Sequence, residues 1–167
     1  MKVLFWVCLI PCYLNTLQTF DMSKIRLLYH RAPEVRQDAV SLNKLMLQVD
    51  SGTSTPALLC YKGANEMIQA KYALNPISKL EKFNKGKKLI KRAFDLDTSN
   101  LEIRFIRFSI QKNLPAFLGY HDELETDKLF LLKNNKNNKD PQVKEMIFNY
   151  LSALGLVENE ETKQLKN

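Results

Sequence analysis

Ile77-Ser-Lys-Leu-Glu-Lys-Phe-Asn-Lys-Gly-Lys-Lys-Leu-Ile-Lys-Arg-Ala-Phe-Asp-Leu96 is the stretch whose reading decides the fold. Wound at about 100° per residue, it gathers Leu80, Phe83, Gly86, Leu89, Ile90, Ala93 and Phe94 on one face and most of its lysines on the other. That pattern is an amphipathic helix with one side committed to a core. Gly86 sits in the middle of the apolar side, although glycine costs a helix interior about 1 kcal/mol relative to alanine. Its position implies that another helix approaches closely there, with Gly63 as the facing small residue. The alternative is a helix break after an irregular loop.

Outward from this segment the same periodicity recurs. Thr55-Pro56 and Asn75-Pro76 each pair an N-cap residue with a proline at the first helical position, and Asp140-Pro141 does so again. These signals predict helices from Pro56 to about Ala73, from Pro76 to about Leu96 and from Pro141 to Leu154, the last closed by Gly155 as a C′ residue. Ser23 to Ala32 is a short amphipathic piece ended by Pro33. Glu34 to Val49 repeats apolar residues at spacings of three and four, then stops at Asp50-Ser51-Gly52. Leu101 to Phe105 alternates like a strand, but Phe105-Ile106 breaks the alternation and a lone strand has no sheet to join. A helix to Lys112 is the better reading. His121-Asp122 is expected to open a further helix to Lys133, with Glu123, Glu125 and Asp127 as its solvated acidic face. The result is an all-α chain of six or seven helices.

Composition agrees. The chain has 167 residues, 45% of them hydrophobic and 26% charged, which suits one domain and excludes a disordered acidic tail or a polytopic membrane protein. Only 5 glycines argue against a Rossmann domain or a glycine-rich phosphate loop. Met1-Lys2 followed by apolar Val3 to Leu14 has the charged start and short apolar run of a secretory signal peptide. It falls short of the roughly 20 residues that span a bilayer as a helix. A small residue is missing before Cys12, which counts against a lipoprotein anchor. The expected organisation is a leader over residues 1–20, a helical domain over 21–157 and a polar tail over 158–167. Loss of the leader removes Cys8 and Cys12 and leaves Cys60, flanked by Leu58, Leu59 and Tyr61, as a small buried hydrophobe.

Ala93-Phe94-Asp95-Leu96-Asp97-Thr98-Ser99-Asn100 resembles the end of a tetratricopeptide repeat, where an alanine in the second helix precedes a short acidic exit. Leu59-x-x-Lys62-Gly63 resembles the start of such a repeat. Lys62 and Glu66 depart from it, Thr98 replaces a proline, and Gly63 and Ala93 stand 30 residues apart, so the resemblance needs an insertion around Leu74 to Lys85. In the following segment Phe108 falls near the small-residue position. The chain looks like the small exported, tetratricopeptide-like helical proteins of Gram-negative bacteria. That resemblance implies stacked antiparallel helix pairs and a protein-binding groove, here around Tyr61, Asn65, Arg104 and Arg107. It places the protein in a periplasm.

Charge supplies the other functional signal. Lys79, Lys82, Lys85, Lys87, Lys88, Lys91 and Arg92 face one acid, Glu81, within the fourteen residues 79–92, and account for six of the chain's net +7 charges. The residues Lys82, Lys85, Lys88, Lys91 and Arg92 form a candidate contact for an anionic membrane surface. No aromatic residues interleave with them as a base-stacking surface requires, and an exported chain is not expected to meet nucleic acid. Arg104 and Arg107 are expected to pair with Asp95, Asp97 or Glu102. His30 and His121 sit in no metal-binding motif, and no nucleophile elbow or phosphate loop occurs. Tyr120-His121-Asp122-Glu123 reads as a helix cap rather than acid–base machinery. The expected function is a non-catalytic interaction or scaffold module without a cofactor. Its expected partner is an unidentified protein, and the alternative is peripheral binding of anionic envelope lipids.

Overall fold

A computed structural model describes residues 19–157. Seven α-helices occur among them: α1 (Met22–Arg31), α2 (Arg36–Leu47), α3 (Pro56–Tyr72), α4 (Pro76–Leu96), α5 (Leu101–Asn113), α6 (Leu124–Asn134) and α7 (Pro141–Ala153). Short 3-10 turns lie at Ala116–Leu118 and Asn135–Asn137, and the described residues contain no strand. The all-α class and the helix number follow the periodicity. Most of the leader and all of the polar tail lie outside the described residues. Phe20, at the edge of the expected leader, packs partly buried against the core.

Local chemistry sets the boundaries. The Thr55 hydroxyl accepts from the Leu58 N–H, Asn75 Oδ1 from Ile77 N at 2.8 Å, and Asp140 Oδ1 from Gln142 N at 3.0 Å and Val143 N at 3.2 Å. Each side chain satisfies donors that the first helical turn leaves without partners. Leu101–Phe105 is helical, opened by Asn100 Oδ1. At the end of α7, Gly155 takes φ +67°, and the amides of Gly155 and Leu156 return to the carbonyls of Ser152 and Leu151. That is a Schellman closure, which the left-handed glycine makes accessible. One start differs from expectation. α6 begins at Leu124, not at His121. Its N-cap is Glu123, which makes no side-chain cap bond because its carboxylate accepts from Gln111 Nε2 at 3.1 Å instead. His121 Nε2 lies 3.2 Å from the Leu114 carbonyl.

The pairs α2–α3, α3–α4 and α5–α6 pack as antiparallel neighbours. Asn65 meets Asn43 and Gln69 meets the Ala39 carbonyl between α2 and α3. Between α5 and α6, Arg107 meets Asp127 and Gln111 meets Glu123. The α3–α4 crossing is the tightest. A Cβ on Gly63 would stand 2.9 Å from the Gly86 carbonyl oxygen, and a Cβ on Gly86 would stand 2.7 Å from the Gly63 carbonyl oxygen. Both distances are too short for a real Cβ, so the two glycines face each other and let the backbones touch. The helix-break alternative fails, since α4 runs unbroken through Gly86. The odd-numbered helices also meet in order, α1 with α3, α3 with α5 and α5 with α7. One apolar core runs through all seven helices, with Ile25, Leu42, Leu59, Ile90, Ile106, Leu131 and Ile147 at its centre.

Candidate functional site

The four residues assigned to a binding groove are interior residues. Tyr61, Asn65 and Arg107 are buried, and the Arg104 side chain is 12% exposed. They do not come together at an open surface. The reason is a polar hub that draws the odd-numbered helices onto one another. Arg26 of α1 donates from Nε to Glu102 Oε1 at 2.7 Å and from Nη2 to Glu102 Oε2 at 2.9 Å, a two-pronged pairing with α5. The same guanidinium reaches Asp140 Oδ2 at 2.8 Å and the Gln142 side chain, at the start of α7. Tyr61 of α3 donates its hydroxyl to Glu102 Oε1 at 2.7 Å. One carboxylate thus ties α1, α3 and α5, and one guanidinium carries the tie to α7. Tyr29 packs edge-on to Tyr61 at 5.4 Å between ring centroids and shares a 2.8 Å hydrogen bond with Ser109. Burial, then the neighbouring Glu102 charge, push the Tyr61 phenol well above its ordinary pKa, so it stays a donor.

Arg104 and Arg107 belong to a second cluster. Their partner is not Asp95, Asp97 or Glu102 but Asp127 of α6. Arg107 Nε lies 2.6 Å from Asp127 Oδ2 and its Nη2 lies 2.9 Å from Oδ1, while Arg104 Nη1 lies 2.8 Å from Oδ1. Phe94 covers the Arg107 guanidinium at 3.8 Å, and Phe130 covers that of Arg104 at 4.0 Å. Burial disfavours the Arg107 charge, but the bond and charge of Asp127 outweigh it and hold the group protonated. Asp127 has no exposed side-chain area, so it is no part of a solvated acidic face. A signal for this stood in the sequence: Asp127 follows Leu124 by three and precedes Leu131 by four, the spacing of an inward row.

The outer face of α4 carries what the interior does not use. Lys85, Lys88, Lys91 and Arg92 are exposed and Lys82 is half-buried. Lys85 bonds Glu66 at 2.6 Å, and Lys91 bonds Asp95 at 2.7 Å. Lys79, Lys82, Lys88 and Arg92 make no ion pair among the described residues. Lys87 lies apart from this face, over the rings of Phe83 and Tyr120.

Leu80 also departs from expectation, being 58% exposed rather than part of the core. Gly63 meets Ile90 and Met67 meets Gly86. At that register Tyr72, the last residue of α3, stands level with about Glu81, so the first turn of α4 overhangs the end of α3 and is left exposed among the described residues. Ile77 is 68% exposed for the same reason, and Leu74, in the connection, is 99% exposed. Sequence reasoning missed this apolar corner. The cue was present, because Leu74, Ile77 and Leu80 recur every three residues beside the caps Asn75 and Pro76.

Two open hollows remain. One of about 230 Å³ lies against the corner, lined by Arg36, Val40, Tyr72, Ala73 and Lys82 among others. The other, of about 550 Å³, lies between α6 and α7 around Leu132, Phe148 and Val157. Among the described residues no three His, Cys, Asp or Glu side chains converge as a metal site, and no helix is long and apolar enough to cross a membrane. Cys60 is buried beside the Ile103 carbonyl, and burial raises its thiol pKa. No protein-family model, curated protein or solved structure matches the chain.

Proposed function

We propose that the chain is an exported, non-catalytic helical module that attaches peripherally to an anionic lipid surface through the outer face of α4. The observation that carries this reading is the division of charge. The interior cations Arg26, Arg104 and Arg107 are matched by Glu102, Asp140 and Asp127, whereas Lys88 and Arg92 on the outer face of α4, and Lys79 and Lys82 nearer its start, make no ion pair among the described residues. The tetratricopeptide resemblance suggested a protein-binding groove, but the residues assigned to it are engaged inside the fold. A helix face of mobile lysines suits a diffuse layer of headgroups better than a shaped carboxylate, which arginine recognises with its rigid fork.

The test is co-sedimentation with anionic vesicles at low and high salt. A cation near a charged bilayer contributes about 1 kcal/mol, and salt screens it. Replacing Lys79, Lys82, Lys88 and Arg92 with glutamine is therefore expected to weaken low-salt binding at least a hundredfold while leaving the melting temperature within a few degrees. Salt-resistant capture of a protein by the quadruple variant, with no vesicle binding by the parent chain, overturns the reading in favour of a protein partner.

A further inference from the structure

We infer that the α3–α4 corner is a bilayer-insertion wedge, in which Leu74, Ile77 and Leu80 enter the headgroup–acyl boundary of an anionic membrane. This rests on the lipid-surface reading above and adds a site that electrostatics alone does not supply.

Three observations carry it. Leu74, Ile77 and Leu80 form an apolar cluster 99%, 68% and 58% exposed at one end of the helix hairpin. Leaving such groups in water is costly, and burying each in an apolar phase is favourable by area. The surroundings of the cluster are cationic. Lys79 and Lys82 follow it on α4, with Glu81 as the acid of that helical turn. The nearby acids are already matched, Glu34 of the α1–α2 connection by Lys71 and Asp38 of the first turn of α2 by Arg31. Finally, the hollow near the corner is lined by Arg36 of α2 and Lys82 of α4 together with Ala39, Val40 and Ala73. Two cations beside an apolar tip are the complement of a lipid phosphate above its acyl chains. An acidic protein offers charge to the lysines but no phase for Leu74.

The experiment places a reporter at the tip of the full chain. Trp6→Phe removes the native tryptophan, and Leu74→Trp or, as a control on α6, Leu129→Trp restores one. Each is mixed with phosphatidylcholine vesicles with and without phosphatidylglycerol, and with vesicles bearing brominated acyl chains. The expected result is a blue-shifted emission at position 74, quenched by bromine, with phosphatidylglycerol present and not with phosphatidylcholine alone, while position 129 stays unshifted. Leu74→Ser with Ile77→Ser is expected to lower partitioning at least tenfold, both at low salt and at about 0.5 M salt, where charge is screened within a few ångströms. Anionic vesicle binding with an unshifted tryptophan at 74 overturns the wedge and leaves the lysine-face reading standing. Failure to bind vesicles at low salt overturns both. Equal shifts at 74 and 129, or equal shifts with neutral vesicles, also overturn the wedge.

Discussion

Replacing Asp127 with asparagine should be the most damaging nearly isosteric change in the interior. Asp127 is wholly buried and accepts three bonds of 2.6–2.9 Å from two guanidiniums. Asparagine keeps the volume but removes the charge and turns one acceptor into a donor aimed at other donors. Arg107 is then left a buried cation that has lost the Asp127 countercharge, with one amide oxygen and the Phe94 face against it. Removing one partner of a buried ion pair costs about 3–5 kcal/mol. Against a typical total stability of about 5–15 kcal/mol, that is about a fifth or more of the whole. For a domain of this size it lowers the melting temperature by roughly 10–15 °C. Urea unfolding followed by circular dichroism measures it, at constant slope so that the comparison is of stability alone. The double variant Asp127→Leu with Arg107→Met removes both charges and is expected to be more stable than Asp127→Asn, because Arg104 retains the Thr98 carbonyl at 2.7 Å and access to water. A loss below about 1 kcal/mol for Asp127→Asn, within the range of an exposed substitution, refutes the reasoning. It would return Asp127 to the solvated face that the run of acids in α6 first suggests.

Other consequences are sharper in sign than in size. Gly86→Ala gains about 1 kcal/mol of helix propensity but forces the α3 and α4 backbones apart, an overpacking cost of about 1–3 kcal/mol. A lower urea midpoint is expected, and a second substitution at Gly63 should cost less than its own single because the helices have already separated. Asn84→Ala, on the exposed side of α4, is the control and should not destabilise. With Cys8 and Cys12 replaced by serine, Cys60 is expected to resist thiol reagents until urea unfolds the chain, since burial disfavours its thiolate. Partial burial pushes the Asp140 carboxyl up, yet the Val143 and Gln142 amides and the Arg26 charge outweigh it and hold it below its ordinary value of 3.8. A depressed folded-state pKa contributes stability above the unfolded value that is lost as pH falls through the folded one. Asp140→Asn should therefore flatten the fall in thermal stability below about pH 4, which a melting series across pH checks.

How much of this was legible depends on the range of each interaction. The caps at Thr55, Asn75 and Asp140 and the Gly155 closure act within a few residues, so the chain displays them directly. The Gly63–Gly86 contact spans two helices but remained readable, because a glycine inside an apolar face is costly unless something approaches it. The ion pairs were different. Arg26 and Glu102 lie 76 residues apart, and nothing local to either names the other. Charged side chains read as surface by default, since burying one unpaired is prohibitive. That default misplaced Asp127, Arg104 and Arg107 together. Once three charges satisfy one another, the reason for keeping each outside disappears for all.

The same logic bears on where the protein works. In an open stack of helix pairs the faces of the odd-numbered helices form a concave surface for a guest. Here the corresponding polar residues bind each other: Glu102 is shared by Arg26 and Tyr61, and Arg26 also holds the start of α7. A guest would have to compete with a buried two-pronged ion pair, and opening it would expose an unpaired charge at a cost of several kcal/mol. The outer face of α4 and the overhanging corner at Leu74 demand no such exchange. Lys88, Arg92 and Leu74 are exposed, and the two cations make no ion pair among the described residues, so occupying them opens no buried pairing. Functional binding that leaves the fold intact therefore favours the outside of the hairpin, and the Gly63–Gly86 contact keeps that hairpin rigid enough to present it.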